Sequence, residues 1–178
     1  MDRQPTLEGP NLLLRPLRAD DWDALFEVAR DSEIWAIHPQ HDRWQEPVFR
    51  RFFADALERG GALTVIDKAS RQVVGSSQFK QPQDGAVEIG WTFLARSHWG
   101  GAFNREMKRL MLEHAFRFVE RAEFRVGESN LRSRRAMEKI GGQLTERFDL
   151  VEVPGGGTMR HVIYAIDRAS FASGPLNP

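Results

Sequence analysis

The sequence predicts one mixed α/β (α+β) domain of about seven strands and about four helices, and three observations predict it. Apolar residues alternate with a period of two in several short runs and recur at i, i+3, i+4 and i+7 in others. The runs follow one another in the order β-α-α-β-β-β-α-β-α-β-β. At 178 residues the chain is long enough to bury one real core, and no linker rich in Gly, Ser or Pro divides it. The reading places a single domain at residues 10–166 and a frayed C-terminal tail at 167–178.

The segment "NLLLRPL" (11–17) reads as a strand that ends at Pro16. In "ADDWDALFEVARD", Asp20 or Asp21 can cap a helix whose Trp22, Leu25, Phe26 and Ala29 share a face. An irregular stretch rich in His, Pro and Trp spans 35–46. Pro47 then opens a second helix, apolar at Phe49, Phe52, Phe53, Ala56 and Leu57 and stopped by Gly60-Gly61. "ALTVID", "QVVGSSQFK" and "AVEIGWTFL" follow as strands separated by polar turns. In the third, alternation puts Val87, Ile89, Trp91 and Phe93 on one face and Glu88, Gly90, Thr92 and Leu94 on the other.

The next helix carries Phe103, Met107, Leu110, Met111, His114 and Phe118 along one side. Leu112, Phe116 and Val119 widen the apolar arc, so this helix should be central. A short strand "EFRVGE", a helix from Leu131 to Ile140, and strands "QLTERFDLVEV" and "TMRHVIYAID" complete the order, the last two joined by a "PGGG" hairpin turn.

Composition removes several function classes. Lys+Arg and Asp+Glu both number 25, and that balance opposes a general electrostatic grip on nucleic acid or an anionic membrane. The basic run "RSRRAMEK" has no second cluster to join it. Without cysteine there is no disulfide, thiolate zinc site or cysteine nucleophile. No apolar run approaches the ~20 residues of a membrane span, and the N-terminus lacks a secretory hydrophobic core. A cytoplasmic location is expected. His38 and His41 have no carboxylate pattern beside them that would make a metal site.

The stretch "SHWGGAFNREMK" sets Gly100 and Gly101 directly before the central helix. Two readings stand there. The glycines make a sharp turn, or they let an anion approach the free N–H groups and partial positive charge of the helix start. Asn130 opens the later helix as a cap, and Ser133 is turned to that helix's buried face. If the strands before the two helices are neighbours, the helix starts make one split polar cleft.

The stretches "EIGWTFL" (88–94), "WGGAFNREMK" (99–108) and "NLRSRRAMEKIGG" (130–142), in this order and spacing, resemble the GCN5-related N-acetyltransferase (GNAT) superfamily over about residues 10–166. The branch they resemble is that of the ribosomal-protein-alanine N-acetyltransferases. The resemblance implies a central, mostly antiparallel twisted sheet with a splayed central strand pair. It also implies acetyl-CoA as co-substrate, with the pantetheine arm on the strand of Thr92, Phe93 and Leu94. The pyrophosphate would lie on Trp99, Gly100, Gly101, Ala102, Phe103 and Asn104, and Asn130 and Ser133 would lie near the reactive end.

The chain departs from the family pattern at four positions. Trp99, Ala102 and Asn104 stand at the three defining positions of the phosphate loop, and Ala102 fits only with a negative φ. Met137 stands where many members carry a tyrosine acid. The single tyrosine is Tyr164, on the last strand, so Ser133 or a water must protonate the leaving thiolate.

The expected activity is direct transfer of acetyl from the thioester to a primary amine in a ternary complex. Glu88 is the expected base, acting through water. Backbone N–H groups near Thr92–Leu94 would polarise the carbonyl. The acceptor, a small molecule or a peptide N-terminus, would meet Trp35, His38 and Trp91. Lys108, Arg109, Arg134 and Arg135 read as solvated helix charges, one or two of which could reach CoA phosphates, and His161 reads as structural. A homodimer is compatible with this reading; nucleic acid, membrane and metal are not expected. The alternative is a non-catalytic acyl-CoA-binding or sensor module of the same fold.

Overall fold

In the computed structural model, which describes residues 1–177, eight strands form one sheet flanked by five α-helices. The strands are β1 (Leu7–Glu8), β2 (Leu12–Pro16), β3 (Ala62–Asp67), β4 (Val73–Phe79), β5 (Ala86–Leu94), β6 (Arg121–Gly127), β7 (Gln143–Glu152) and β8 (Thr158–Asp167). The helices are α1 (Trp22–Ala29), α2 (Glu46–Arg59), α3 (Ala102–Ala115), α4 (Leu131–Lys139) and α5 (Arg168–Ala172). The order across the sheet is β1-β2-β3-β4-β5-β6-β8-β7, antiparallel at every junction except β5–β6. The element order read from the sequence holds, with a two-residue strand added in front and a short helix behind.

Each face of the sheet buries its own core. On one face Leu12, Leu14, Val65 and Ile89 of the strands share a core with Met107 and Met111 of α3, which confirms that helix as central. On the other, Leu25, Trp35, Phe49, Phe53 and Phe93 pack under α1 and α2. Trp35 is 1% exposed, and its Nε1 donates to Ala29 O at 2.7 Å, so the largest side chain of this core leaves no unpaired donor. Asp21 does not cap α1 with its side chain. Its buried carboxylate turns inward and accepts from Arg15, Thr64 Oγ1 (2.8 Å) and Arg18 N (2.9 Å), tying the start of α1 to β2 and β3.

The strict alternation expected in β5 breaks at Trp91. Gln78 faces Gly90 and Ser76 faces Phe93, so the single residue Ser77 spans two residues of β5. Trp91 takes φ +52° at this bulge, an uncommon conformation for a bulky residue. The extra residue reverses the faces. Val87 and Ile89 lie toward α3, as does Leu94, whereas Phe93 lies in the α1/α2 core beside Trp35, 5.4 Å between ring centroids.

Two further expectations are corrected. The central helix ends at Ala115, leaving Phe118 half-exposed beyond it. Up to residue 177 the C-terminal segment is not frayed: residues 168–172 are helical, Leu176 is buried, and Arg105 donates to Pro175 O at 2.5 Å, while position 178 lies outside the described residues. No helix among the described residues is long and apolar enough to cross a membrane.

Candidate active site

The parallel pairing of β5 with β6 covers only Ala86–Glu88 against Arg121–Glu123. From Ile89 onward the two strands part, and β5 loses its β6 partner. This is the splayed central pair that the resemblance implied. A cleft of about 620 Å³ opens in the split. Its β5 wall is the strand's second half, including Trp91, Thr92, Phe93 and Leu94. Its other walls come from β6, from α4 and from the segment after α1.

Both helix starts face this one cleft. Gly100, Gly101 and Asn104 line it from the α3 side, and Asn130 and Ser133 from the α4 side. Gly100 has φ +74°, which a side chain would strain; Gly101, at the N-cap of α3, does not. A Cβ at either glycine would have nothing within 4 Å, and no side chain caps the helix. The first N–H groups of α3 therefore border open space beside a positive helix end, as an anion cradle requires. Ala102 begins α3 and is absent from the positive-φ residues, so it meets its condition. Ala102 and Phe103 do not line the cleft; Phe103 packs on the His98 ring at 4.5 Å.

At the second start, Asn130 is buried and its Oδ1 accepts from Ser133 N at 3.1 Å. The cap is real, and it fixes both residues at the cleft wall. Trp99 joins the two sides: Nε1 donates to Leu94 O at 2.9 Å, and the Arg132 guanidinium lies 4.0 Å over its ring. Arg132 also donates to Ile34 O at 2.7 Å, which ties α4 to the segment carrying Trp35 and His38.

Trp35, His38 and Trp91 all reach the cleft. Burial holds His38 well below the ordinary imidazole range, at about 3, so the ring is neutral at pH 7; its Nδ1 accepts from Gln40 N at 2.9 Å. His161 lies on the same wall with a buried Nε2 that has no hydrogen-bond partner, and burial lowers its pKa too.

Glu88 is not on the cleft wall. It lines a smaller recess at the closed end of the split, with Arg125 donating to it at 2.8 Å and Lys80 Nζ at 3.5 Å. Arg125 lines both spaces, so one guanidinium separates Glu88 from the cleft. Burial raises the carboxyl's pKa against the opposing pull of Arg125 and Lys80.

Sequence reasoning misplaced Lys108. It is not solvated: only 2% of the residue is exposed, and Nζ donates to Thr92 Oγ1 at 2.7 Å and Ser77 Oγ at 3.3 Å, at the cleft. The signal was present in its helical spacing with Leu112, Ala115 and Val119, which puts position 108 on the buried arc. Met137 also lines the cleft and has no proton to give. Tyr164 is buried elsewhere, accepting from Arg134 Nε at 3.1 Å and donating to Glu138 Oε1 at 3.0 Å. No cluster of three or more His, Asp or Glu side chains placed to hold a metal ion occurs among the described residues.

Residues 11–143 match the family described as the acetyltransferase (GNAT) domain. An uncharacterized N-acetyltransferase, p20, of Bacillus licheniformis is 27% identical over 147 residues, spanning 78% of this chain and 82% of its own. The crystal structure of a GCN5-related N-acetyltransferase from Brucella melitensis superposes with a TM-score of 0.83 at 21% identity, over 98% of this chain and 82% of that one. Mycobacterium smegmatis RimJ, solved with CoA-disulfide, superposes with a TM-score of 0.70 at 18% identity, over 93% and 86%.

Proposed function

The chain belongs to the GNAT acetyltransferase family, and from that premise we propose that it acetylates a primary amine by direct transfer from acetyl-CoA in a ternary complex. The observation that carries this reading is the opening of two helix starts onto one cleft at a split in the sheet. The residues fit the co-substrate. The uncapped start of α3, with free space over Gly100 and Gly101, suits a diphosphate, and the unpaired edge of β5 beyond Glu88 suits the amide-bearing pantetheine arm. Bound acetyl-CoA supplies an activated thioester.

The chain's own groups then have distinct tasks. Backbone N–H groups near Thr92–Leu94 orient and polarise the carbonyl. Asn130 and Ser133 border the reactive end, and Trp99, clamped by Arg132, holds the two sides of the cleft together. Trp35, His38 and Trp91 form the acceptor's wall. Glu88 takes the amine's proton through water, its raised pKa bringing a carboxylate closer to the task. The acceptor is a small-molecule amine or a peptide N-terminus, in keeping with the ribosomal-protein-alanine branch. The second reading, a non-catalytic acyl-CoA-binding or sensor module of the same fold, is favoured by Met137 and by the irregular phosphate loop with Trp99 and Asn104.

Calorimetry with acetyl-CoA, followed by thiol release over a panel of amines and peptides, tests the proposal. Binding with amine-dependent thiol release supports it. No binding at high micromolar acetyl-CoA overturns it, and binding without release to any amine favours the sensor.

A further inference from the structure

We propose that Lys108 is the acid that protonates the sulfur as it leaves, an assignment that rests on the acetyl-transfer reading above. Lys108 rises from α3 into the gap where the strands separate. Its Nζ donates to Thr92 on β5 and to Ser77 on β4, and lies 5.6 Å from the centre of the Phe124 ring on β6. It therefore stands between the two sides of the split, on the wall of the cleft.

It is the one lysine or arginine buried among the described residues, and no opposite charge pairs with it. Of the buried carboxylates, Asp21 has Arg15 and Glu123 has Arg121 and Arg147, while Glu106 accepts from the neutral donors of Asn11 and Leu12. Lys108 has hydroxyls and a ring, and no carboxylate partner among the described residues. The nearest elements contribute Ser77, Thr92 and Phe124. The ionisable groups farther along the same cavity, His38 after α1, His98 before α3, Arg105 on α3, Arg125 on β6, His161 on β8 and Arg132, Arg135 and Lys139 on α4, are basic types. Burial alone brings its pKa down to about 7. An ammonium has three N–H donors, and the two hydroxyls take two of them, leaving one proton free. An acid that titrates near the working pH transfers its proton efficiently.

Burial lowers the pKa of two histidines on the cleft, His38 and His161, which disfavours their charged, proton-donating form near neutral pH. Met137 has no proton to give, Tyr164 is committed to Arg134 and Glu138, and the Ser133 hydroxyl is a far weaker acid. In the balanced step, the acceptor nitrogen bonds to the carbonyl carbon and the carbon–sulfur bond breaks. The electron pair left on sulfur takes the free Lys108 proton. Lys108 stays hydrogen-bonded to Thr92 and Ser77 as a neutral amine, the proton shed by the acceptor nitrogen passes through water to Glu88, and the exchange of one proton with solvent at each residue restores both for the next turnover.

The chain has only four lysines, Lys68, Lys80, Lys108 and Lys139, so carbon-13 lysine labelling gives a resolved NMR titration. Lys108 is expected to be the one titrating near neutrality in the wild-type protein. Its midpoint should lie at higher pH with CoA than with desulfo-CoA, which differs only by lacking the sulfur. In steady-state kinetics, Lys108→Met should bind acetyl-CoA within about threefold of wild type, lose about 10²-fold in kcat, and lose the fall in kcat on the alkaline side. The wild-type NMR titration decides the matter if the variant does not fold. Equal midpoints with the two ligands, or an alkaline limb kept in Lys108→Met, overturn the assignment. Failure of both ligands to bind sinks the acetyl-CoA reading instead.

Discussion

Glu88 on β5 stands opposite Glu123 on β6 as the last pair of a parallel ladder three pairs long. Two carboxylates facing each other across strands repel, and each has its own arginine: Arg125 on Glu88, Arg147 on Glu123. Arg125 also reaches Asp149 at 2.6 Å and Glu123 at 3.8 Å. An ionic clamp thus closes the sheet at this pair, and the strands separate immediately beyond it. The base proposed for the reaction is therefore a member of the clamp that holds the cleft's closed end.

Glu88→Gln separates those two roles. The amide keeps the shape and can still accept from Arg125, so acetyl-CoA binding by calorimetry should stay within about threefold of wild type. Turnover should fall about 10²-fold. The acid-side rise of rate with pH should lie above the ordinary carboxyl range, because burial raises this pKa and the base must be ionised. That rise should vanish in the variant. Unchanged turnover removes Glu88 from the mechanism.

Gly101→Asp should move stability and binding in opposite directions. An aspartate at the N-cap of α3 can accept from the free N–H groups and should leave the melting temperature equal or slightly higher. The same carboxylate occupies the anion space and should weaken acetyl-CoA binding by at least about tenfold. Gly100→Ala, at φ +74°, should instead cost about 1 kcal/mol of stability. A Gly101→Asp protein that binds acetyl-CoA as tightly as wild type contradicts the cradle.

Tyr164→Phe should leave kcat within about twofold and cost about 1 kcal/mol in denaturant unfolding, since only its bonds to Arg134 and Glu138 are lost. A large drop in kcat would give the tyrosine a part in the chemistry.

Asp21→Ala strands the Arg15 guanidinium, which is 18% exposed, and should destabilise by about 3 kcal/mol. Burial pushes the Asp21 pKa up, but the bonds from Arg15, Thr64 and Arg18 N outweigh it and leave the pKa below the usual range. A depressed folded pKa means its stabilisation is full above the unfolded value near 4 and fades as pH falls through the lower folded value. Acid unfolding of wild type should therefore steepen there, and Asp21→Ala should show less of that dependence.

The order of elements and both helix starts were legible in the sequence because periodicity, caps and glycine turns are local. The Trp91 bulge was not, since it is set by how Ser77, fourteen positions earlier, pairs with β5. That one inserted residue moved Phe93 to the opposite core. Lys108 was misread because a lysine on a helix is normally solvated: its spacing with Leu112, Ala115 and Val119 put it on the buried arc, but the hydroxyls of Ser77 and Thr92 that receive its ammonium come from distant strands. The C-terminal segment docks by long-range packing: a Cβ on Gly141 would come 3.0 Å from Pro175 Cδ, and Leu176 enters the main core.

The most direct test of the central claim is a crystal structure grown with acetyl-CoA. Density for the pantetheine arm along β5 in the gap toward β6, with the diphosphate over Gly100 to Asn104 and the thioester between Thr92 and Asn130, is the predicted result. A map with the nucleotide bound elsewhere and the split filled only by solvent would contradict it.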